Sequence, residues 1–175
     1  AVYAGGLRLV LDVLAALGVR RVGLEDPGYA FAVAAVRRAG LDVVAVPADE
    51  DGIDTAALRR ADPDAAIVTP AHSHPLGGVL SPERRADVLA WARERDRLLV
   101  EDDYDAEFRY DRDPVGAMQG LAPERVVGIG SVSKTLGPAL RLGWVVCPPA
   151  PAGAIARTKE MHGRLSPGLD QDGLA

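Results

Sequence analysis

A single cysteine, Cys147, stands in 175 residues. One thiol excludes an internal disulfide framework and fits a reducing compartment. It lies in an apolar stretch, which predicts a packed, inert side chain. Aromatic residues are scarce at 5%, so any core must come from Ala, Val and Leu, which the hydrophobic fraction of 48% supplies. No apolar run reaches the length of a membrane span, and no segment reads as a signal peptide. There is no internal repeat and no low-complexity tract. The net charge is −5, with acids and arginines interspersed, which gives no basic face for nucleic acid. The Arg-Arg pairs at 20–21, 37–38, 59–60 and 84–85 read as solvated helix ends or faces. The most informative scarcity is lysine: of 20 basic residues only Lys134 and Lys159 are lysines.

A chain that uses arginine wherever plain positive charge suffices keeps Lys134 in Gly130-Ser131-Val132-Ser133-Lys134-Thr135, just after the apolar run Val126–Ile129. Arginine stays protonated and cannot act as an amine nucleophile; a desolvated lysine can. Lys134 is therefore a candidate Schiff-base former, against the plain alternative of a surface loop lysine.

Short Val- and Ile-rich runs alternate with helical patterns. Strands are predicted at 21–25, 42–47, 65–69, 97–102, 125–130 and 142–147, and helices at 6–17, 29–39, 54–60, 82–95 and 152–164. Residues 1–6 read as a strand running straight into a turn. Ser81-Pro82 gives the fourth helix an N-cap and a proline at its first position, and Val88, Leu89, Trp91 and Ala92 give it an apolar face. Pro148 to Pro151 reads as a rigid break. This alternation predicts one α/β domain over 1–175, three layers (α/β/α) with a mostly parallel sheet. Both ends suggest a domain cut from a longer protein.

In such sheets functional groups collect beyond the carboxyl ends of parallel strands. Those ends carry Glu25-Asp26-Pro27-Gly28-Tyr29, Thr69-Pro70-Ala71-His72-Ser73-His74-Pro75, Glu101-Asp102-Asp103-Tyr104 and Ser131-Val132-Ser133-Lys134. Three adjacent carboxylates at a buried strand end repel, and need cations or hydrogen bonds to offset the cost. They either hold a cofactor cation or a metal, or form a helix cap or solvated turn. A phospho-acceptor receiver site would need a further aspartate on an intervening strand, and none is there. His72 and His74 share a face if extended, but zinc wants two more ligands, so no metal site is expected. Gly128-Ile129-Gly130-Ser131 lacks the third glycine of a dinucleotide fingerprint. Gly5-Gly6 could offer amides to a phosphate at a helix start, or could be a simple turn.

Together these segments resemble the fold-type I pyridoxal-phosphate (PLP) enzymes, the aspartate aminotransferase superfamily. The likeness is to their large, cofactor-binding domain over essentially the whole chain. Within that superfamily the motifs are most similar to MocR-type regulators of the GntR family, which fuse a winged-helix DNA-binding domain to an aminotransferase-like body. Aminoadipate-type aminotransferases are the next most similar.

The resemblance implies that Lys134 forms the internal aldimine with PLP. It implies that Asp102 faces the pyridine nitrogen and keeps the ring protonated, so that the cofactor acts as an electron sink. Tyr104 would reach the phenolic oxygen, and Asp103 would be structural. Tyr29 would stack on the ring, Ser131 and Arg141 would bind the phosphate, and the amides of Gly5, Gly6 and Leu7 would complete that cup. The last strand would run antiparallel. Three features depart from the family pattern. His74 stands where aminotransferases carry an asparagine. The loop at Ala4–Arg8 lacks the usual hydroxyl or glutamine residues. The small C-terminal domain, with its substrate-carboxylate arginine, is missing, as is the winged helix.

The implied function is a PLP-binding effector domain that senses an amine or amino acid. A working aminotransferase and a scaffold without PLP are the alternatives. A cytoplasmic homodimer is implied, with DNA bound only through the missing N-terminal domain and no membrane partner.

Overall fold

The computed structural model describes residues 2–103, 116–132 and 143–161. In chain order these are α1 (Val2–Ala16), β1 (Arg21–Asp26), α2 (Ala30–Arg38), β2 (Asp42–Asp49), β3 (Gly52–Ile53), α3 (Thr55–Ala61) and β4 (Ala65–Val68). Then come α4 (Pro82–Glu94), β5 (Leu98–Asp102), α5 (Met118–Leu121), β6 (Val126–Ser131), β7 (Gly143–Val146) and α6 (Pro149–Met161). The seven strands form a sheet in the order β3-β2-β1-β4-β5-β6-β7. Neighbours from β2 through β6 pair in parallel, whereas β3 and β7 pair antiparallel at the two edges.

The sheet is buried on both faces, and the alternation of its side chains shows it. Ala65 and Ile67 of β4, Val100 of β5, and Val127 and Ile129 of β6 pack with Leu7, Leu11 and Leu14 of α1, Val36 of α2 and Ile155 of α6. The intervening residues Ala66, Val68, Leu99 and Val126 pack with Leu58 of α3, Val88, Leu89 and Trp91 of α4, and Met118 of α5. Period-two alternation thus serves two apolar layers, the pattern of a parallel sheet covered by helices. Trp91, Leu11 and Leu58 are wholly enclosed, each contributing about 1.5–3 kcal/mol by its burial.

Local chemistry sets the boundaries. The Ser81 hydroxyl accepts the Arg84 amide at 3.4 Å with Pro82 at the first position, as the sequence predicts for α4. Asp54 caps α3 through the Ala57 amide at 2.9 Å. Gly130 is required where β7 crosses β6, because a Cβ there would land on the Trp144 indole opposite it.

Three expectations are corrected. Residues 2–5 are helical, so α1 starts at Val2 rather than residue 6. The Pro148–Pro151 stretch does not break the chain beyond β7: α6 begins at Pro149, where a helix's first turn has no amide bonds for proline to remove. Arg85 is buried, and its guanidinium donates to the Gly116 carbonyl at 2.5 Å. Cys147, just beyond β7, is the packed thiol expected: it is half-buried against the core, and burial pushes its thiol up, which keeps it unreactive. No helix among the described residues is long and apolar enough to cross a membrane.

Candidate cofactor-binding site

Because β1, β4, β5 and β6 are adjacent and parallel, their carboxyl ends open on one edge in that order. That edge holds Glu25 and Tyr29, then Thr69 to His74, then Asp102, then Ser131. Motifs more than 100 residues apart in sequence are neighbours only through this strand order.

Asp102 ends β5, 2% exposed, opposite Ile129 of β6. The next residue, Asp103, donates its amide to the Ile129 carbonyl at 3.0 Å. Alternation puts Asp102 on the face of Val100, the side covered by α1. Ser131 shares that face with Val127 and Ile129. The early turns of α1 press on the same strand: a Cβ on Gly6 would stand 3.3 Å from Ile129 Cγ2. The positive end of the α1 dipole therefore lies at the edge that carries Asp102 and Ser131.

The helix start revises the phosphate cup in detail. The amides at the very start of a helix lack intrahelical partners, and here they fall at Val2–Ala4. The amides of Gly6 and Leu7 belong to the helix interior, and the Leu7 side chain is core.

Tyr29 caps the start of α2 without a side-chain cap bond. Its ring lies 5.3 Å from that of Phe31 and meets His74 edge-on at 5.8 Å. Phe31 is 69% exposed. Sequence reasoning missed this aromatic, whose signal was its position two residues beyond Tyr29.

Two buried glutamates brace the edge. Glu25 is 8% exposed and receives the Thr69 hydroxyl at 2.5 Å, the Ser73 hydroxyl at 3.2 Å and the Thr69 amide at 3.3 Å. Glu101 points away from Asp102, to the other face, and accepts the Met118 and Gln119 amides at 2.8 and 2.9 Å. Burial pushes the Glu101 carboxyl up, while those two amides pull it down. The sequence required hydrogen bonds or cations for the cluster that includes Glu101 but named no partner for either brace, because those partners lie 17 to 48 residues away.

Among the described residues no group of three or more metal-ligating side chains converges. His72 and His74 are both exposed. Lys134, Tyr104 and Arg141 lie outside the described residues. The residues that are described suit PLP chemically. Asp102 is a buried carboxylate able to answer a cationic ring nitrogen, Tyr29 offers an aromatic face, and Ser131 a hydroxyl beside a helix N-terminus.

A doubly covered parallel sheet with an antiparallel last strand, its polar groups gathered at one edge, defines an aspartate aminotransferase-like PLP transferase fold. The fold matches LysN, the α-aminoadipate aminotransferase of Thermus thermophilus, in complex with N-(5'-phosphopyridoxyl)-L-leucine. The TM-score is 0.85 at 29% identity, over 95% of this chain and 46% of that one. The aminotransferase class I and II family matches residues 4–165, and the chain belongs to that family. Among curated proteins it is 35% identical to the HTH-type pyridoxine biosynthesis transcriptional regulator PdxR of Corynebacterium glutamicum, over 97% of this chain and 37% of the relative. It is 36% identical to the probable rhizopine catabolism regulatory protein MocR of Rhizobium meliloti, over 99% of this chain and 36% of the relative. The chain thus spans little more than a third of the length of these regulators.

Proposed function

We propose that this chain is the PLP-binding, ligand-sensing part of a MocR-type transcriptional regulator. The observation that carries the reading is the match of nearly the whole chain to two HTH-type regulators. The buried Asp102 beside Ser131 and the α1 N-terminus supports a cofactor at the sheet edge. Asp102 would hold the ring nitrogen and keep it protonated. Tyr29 would cover the ring face. Ser131, Arg141 and the first amides of α1 would bind the phosphate, and Tyr104 the phenolic oxygen. Lys134 would hold the cofactor covalently and give way to an incoming amine. Its amine must lose a proton to do so, which cationic neighbours and a low dielectric favour. Bound there, PLP supplies an aldehyde that condenses reversibly with amines and a ring that withdraws electrons.

The ligand is a small amine or amino acid. DNA would be contacted only by a winged-helix domain outside this chain, and the regulator would act as a cytoplasmic homodimer. Sensing requires the ligand to bind two arrangements of the body with different affinity.

A working aminotransferase is the second reading, favoured by the likeness to LysN. There Lys134 would also move a proton to and from the amino acid's α-carbon.

Absorbance titration of the full-length protein with PLP, beside Lys134→Ala, tests both. The regulator reading expects a visible band that needs Lys134 and changes on adding particular amines, without sustained turnover. Repeated cycling with a 2-oxo acid selects the aminotransferase. A protein with no Lys134-dependent band refutes both.

A further inference from the structure

We infer that Glu25 is a positioning residue: its carboxylate clamps two loops together and so sets His74 against Tyr29. Its consequence for the cofactor rests on the function proposed above.

Glu25 is the penultimate residue of β1, and the chain then turns through Asp26-Pro27-Gly28 to Tyr29. The turn is tight, since a Cβ on Gly28 would collide with the Glu25 carbonyl. Tyr29 is thereby held four residues from the Glu25 side chain. Across the gap, Glu25 takes both the amide and the hydroxyl of Thr69 and the hydroxyl of Ser73. Ser73 is itself 1% exposed. The loop between these contacts and α4 has its own order: the Ser73 amide reaches the Gly78 carbonyl at 2.9 Å, and the Gly77 amide reaches the Ser73 carbonyl at 2.6 Å. The residue after Ser73 is His74, whose ring meets Tyr29 at 84°.

A carboxylate suits this task. Two oxygens accept three donors at once, and among the described residues no ion pair draws Glu25 elsewhere. Glutamine keeps the shape but turns an NH2 toward groups that donate, which breaks part of the set. Burying the acid costs less because all three donors are aimed at it. A purely structural acid would serve as well under any loop. This one joins the two loops that carry the ring-facing tyrosine and the histidine in the place of the usual asparagine.

The test uses the full-length protein with Glu25→Gln, His74→Ala and the double variant. Without cofactor, Glu25→Gln is expected to speed amide exchange at Thr69, Ser73 and Gly77 at least tenfold and to shift the His74 ring resonances. Exchange in β5 and β6 should stay unchanged. With PLP, each single variant is expected to weaken binding up to about tenfold, the upper size of one edge-on aromatic contact. The visible circular dichroism of the bound cofactor should change alike in both. The double variant should lose no more than the worse single, as expected for residues acting through one contact. Unchanged exchange and His74 resonances in Glu25→Gln overturn the clamp. Additive losses with PLP overturn its action through His74. A wild-type protein that takes up no PLP defeats the functional reading instead, and the cofactor-free exchange still decides the clamp.

Discussion

The two edges of the sheet use the same residue types in opposite ways. At the edge where the strands begin, acids meet arginines and backbone in water-facing pairs. Asp64 accepts the Arg20 and Arg21 amides at 2.9 Å each and faces Arg97 at 3.7 Å. Arg21 reaches the carbonyls of Ala61 and Asp62, Asp62 faces Arg95 at 3.8 Å, and Arg125 pairs with Asp96. At the edge where the strands end, Glu25 and Glu101 are buried and held by neutral N–H and O–H donors, and Asp102 is more deeply buried than either. One edge is stitched for stability. The other keeps carboxylates out of water, where they cost most and where a bound cation would gain most.

The largest effect that would break this contrast is at Asp102. Asp102→Asn is expected to weaken PLP binding by about tenfold to a hundredfold, the loss of a charged partner, in a titration of the full-length protein. An Asn variant that binds as wild type would make the buried acid structural. Asp64→Ala should do the reverse. It removes the one acceptor shared by two amides and costs about 2 kcal/mol of stability in urea unfolding, with PLP affinity intact. The Arg21 amide, then that of Arg20, hold the Asp64 carboxyl below its usual range. Its contribution is therefore present above about pH 4 and fades as pH falls through the lower folded value, so the variant should show a flatter acid limb.

Glu101 has the opposite sign. Burial raises its carboxyl, so the folded protein favours the protonated acid. Wild type then loses stability as pH rises from the ordinary carboxylate range through the folded value. Glu101→Gln does not titrate, and the stability difference should move in its favour over that window; a pH-independent difference would contradict the assignment. The smallest effect belongs to exposed pairs such as Arg59–Glu94 at 2.6 Å. Glu94→Ala should leave Tm unchanged, since such pairs are screened by solvent.

Much of this was legible in the sequence. Six strands fell within one or two residues of their observed bounds, because Val- and Ile-rich runs bounded by turn residues leave few alternatives. The antiparallel last strand came from the family resemblance rather than from periodicity. β3 and α5 were missed, since two and four residues are too short to show a period. The start of α1 was misplaced because Gly5 and Gly6 read as a turn, whereas both lie in the helix, with Gly6 against Ile129. Burial of Arg85 was invisible because an Arg-Arg pair gives no sign of which member turns inward. At the candidate site the strand-end acids and Tyr29 were visible one by one. Their bracing by Thr69, Ser73 and α5 depends on strand order, which no local pattern encodes.

The step from Glu101 to Asp102 makes the sheet a partition. Two neighbouring carboxyl groups, one bond series apart along the chain, live in separate compartments with separate neighbours. Each can be adjusted by the residues on its own side without retuning the other. The same arrangement makes the strand intolerant of lost length. Deleting one residue among Leu98–Val100 would exchange the two compartments, sending the glutamate toward α1 and the aspartate toward α5. Side-chain identity at this edge is thus written as a count of residues from the strand's start, and errors of counting, more than errors of chemistry, are what it cannot absorb.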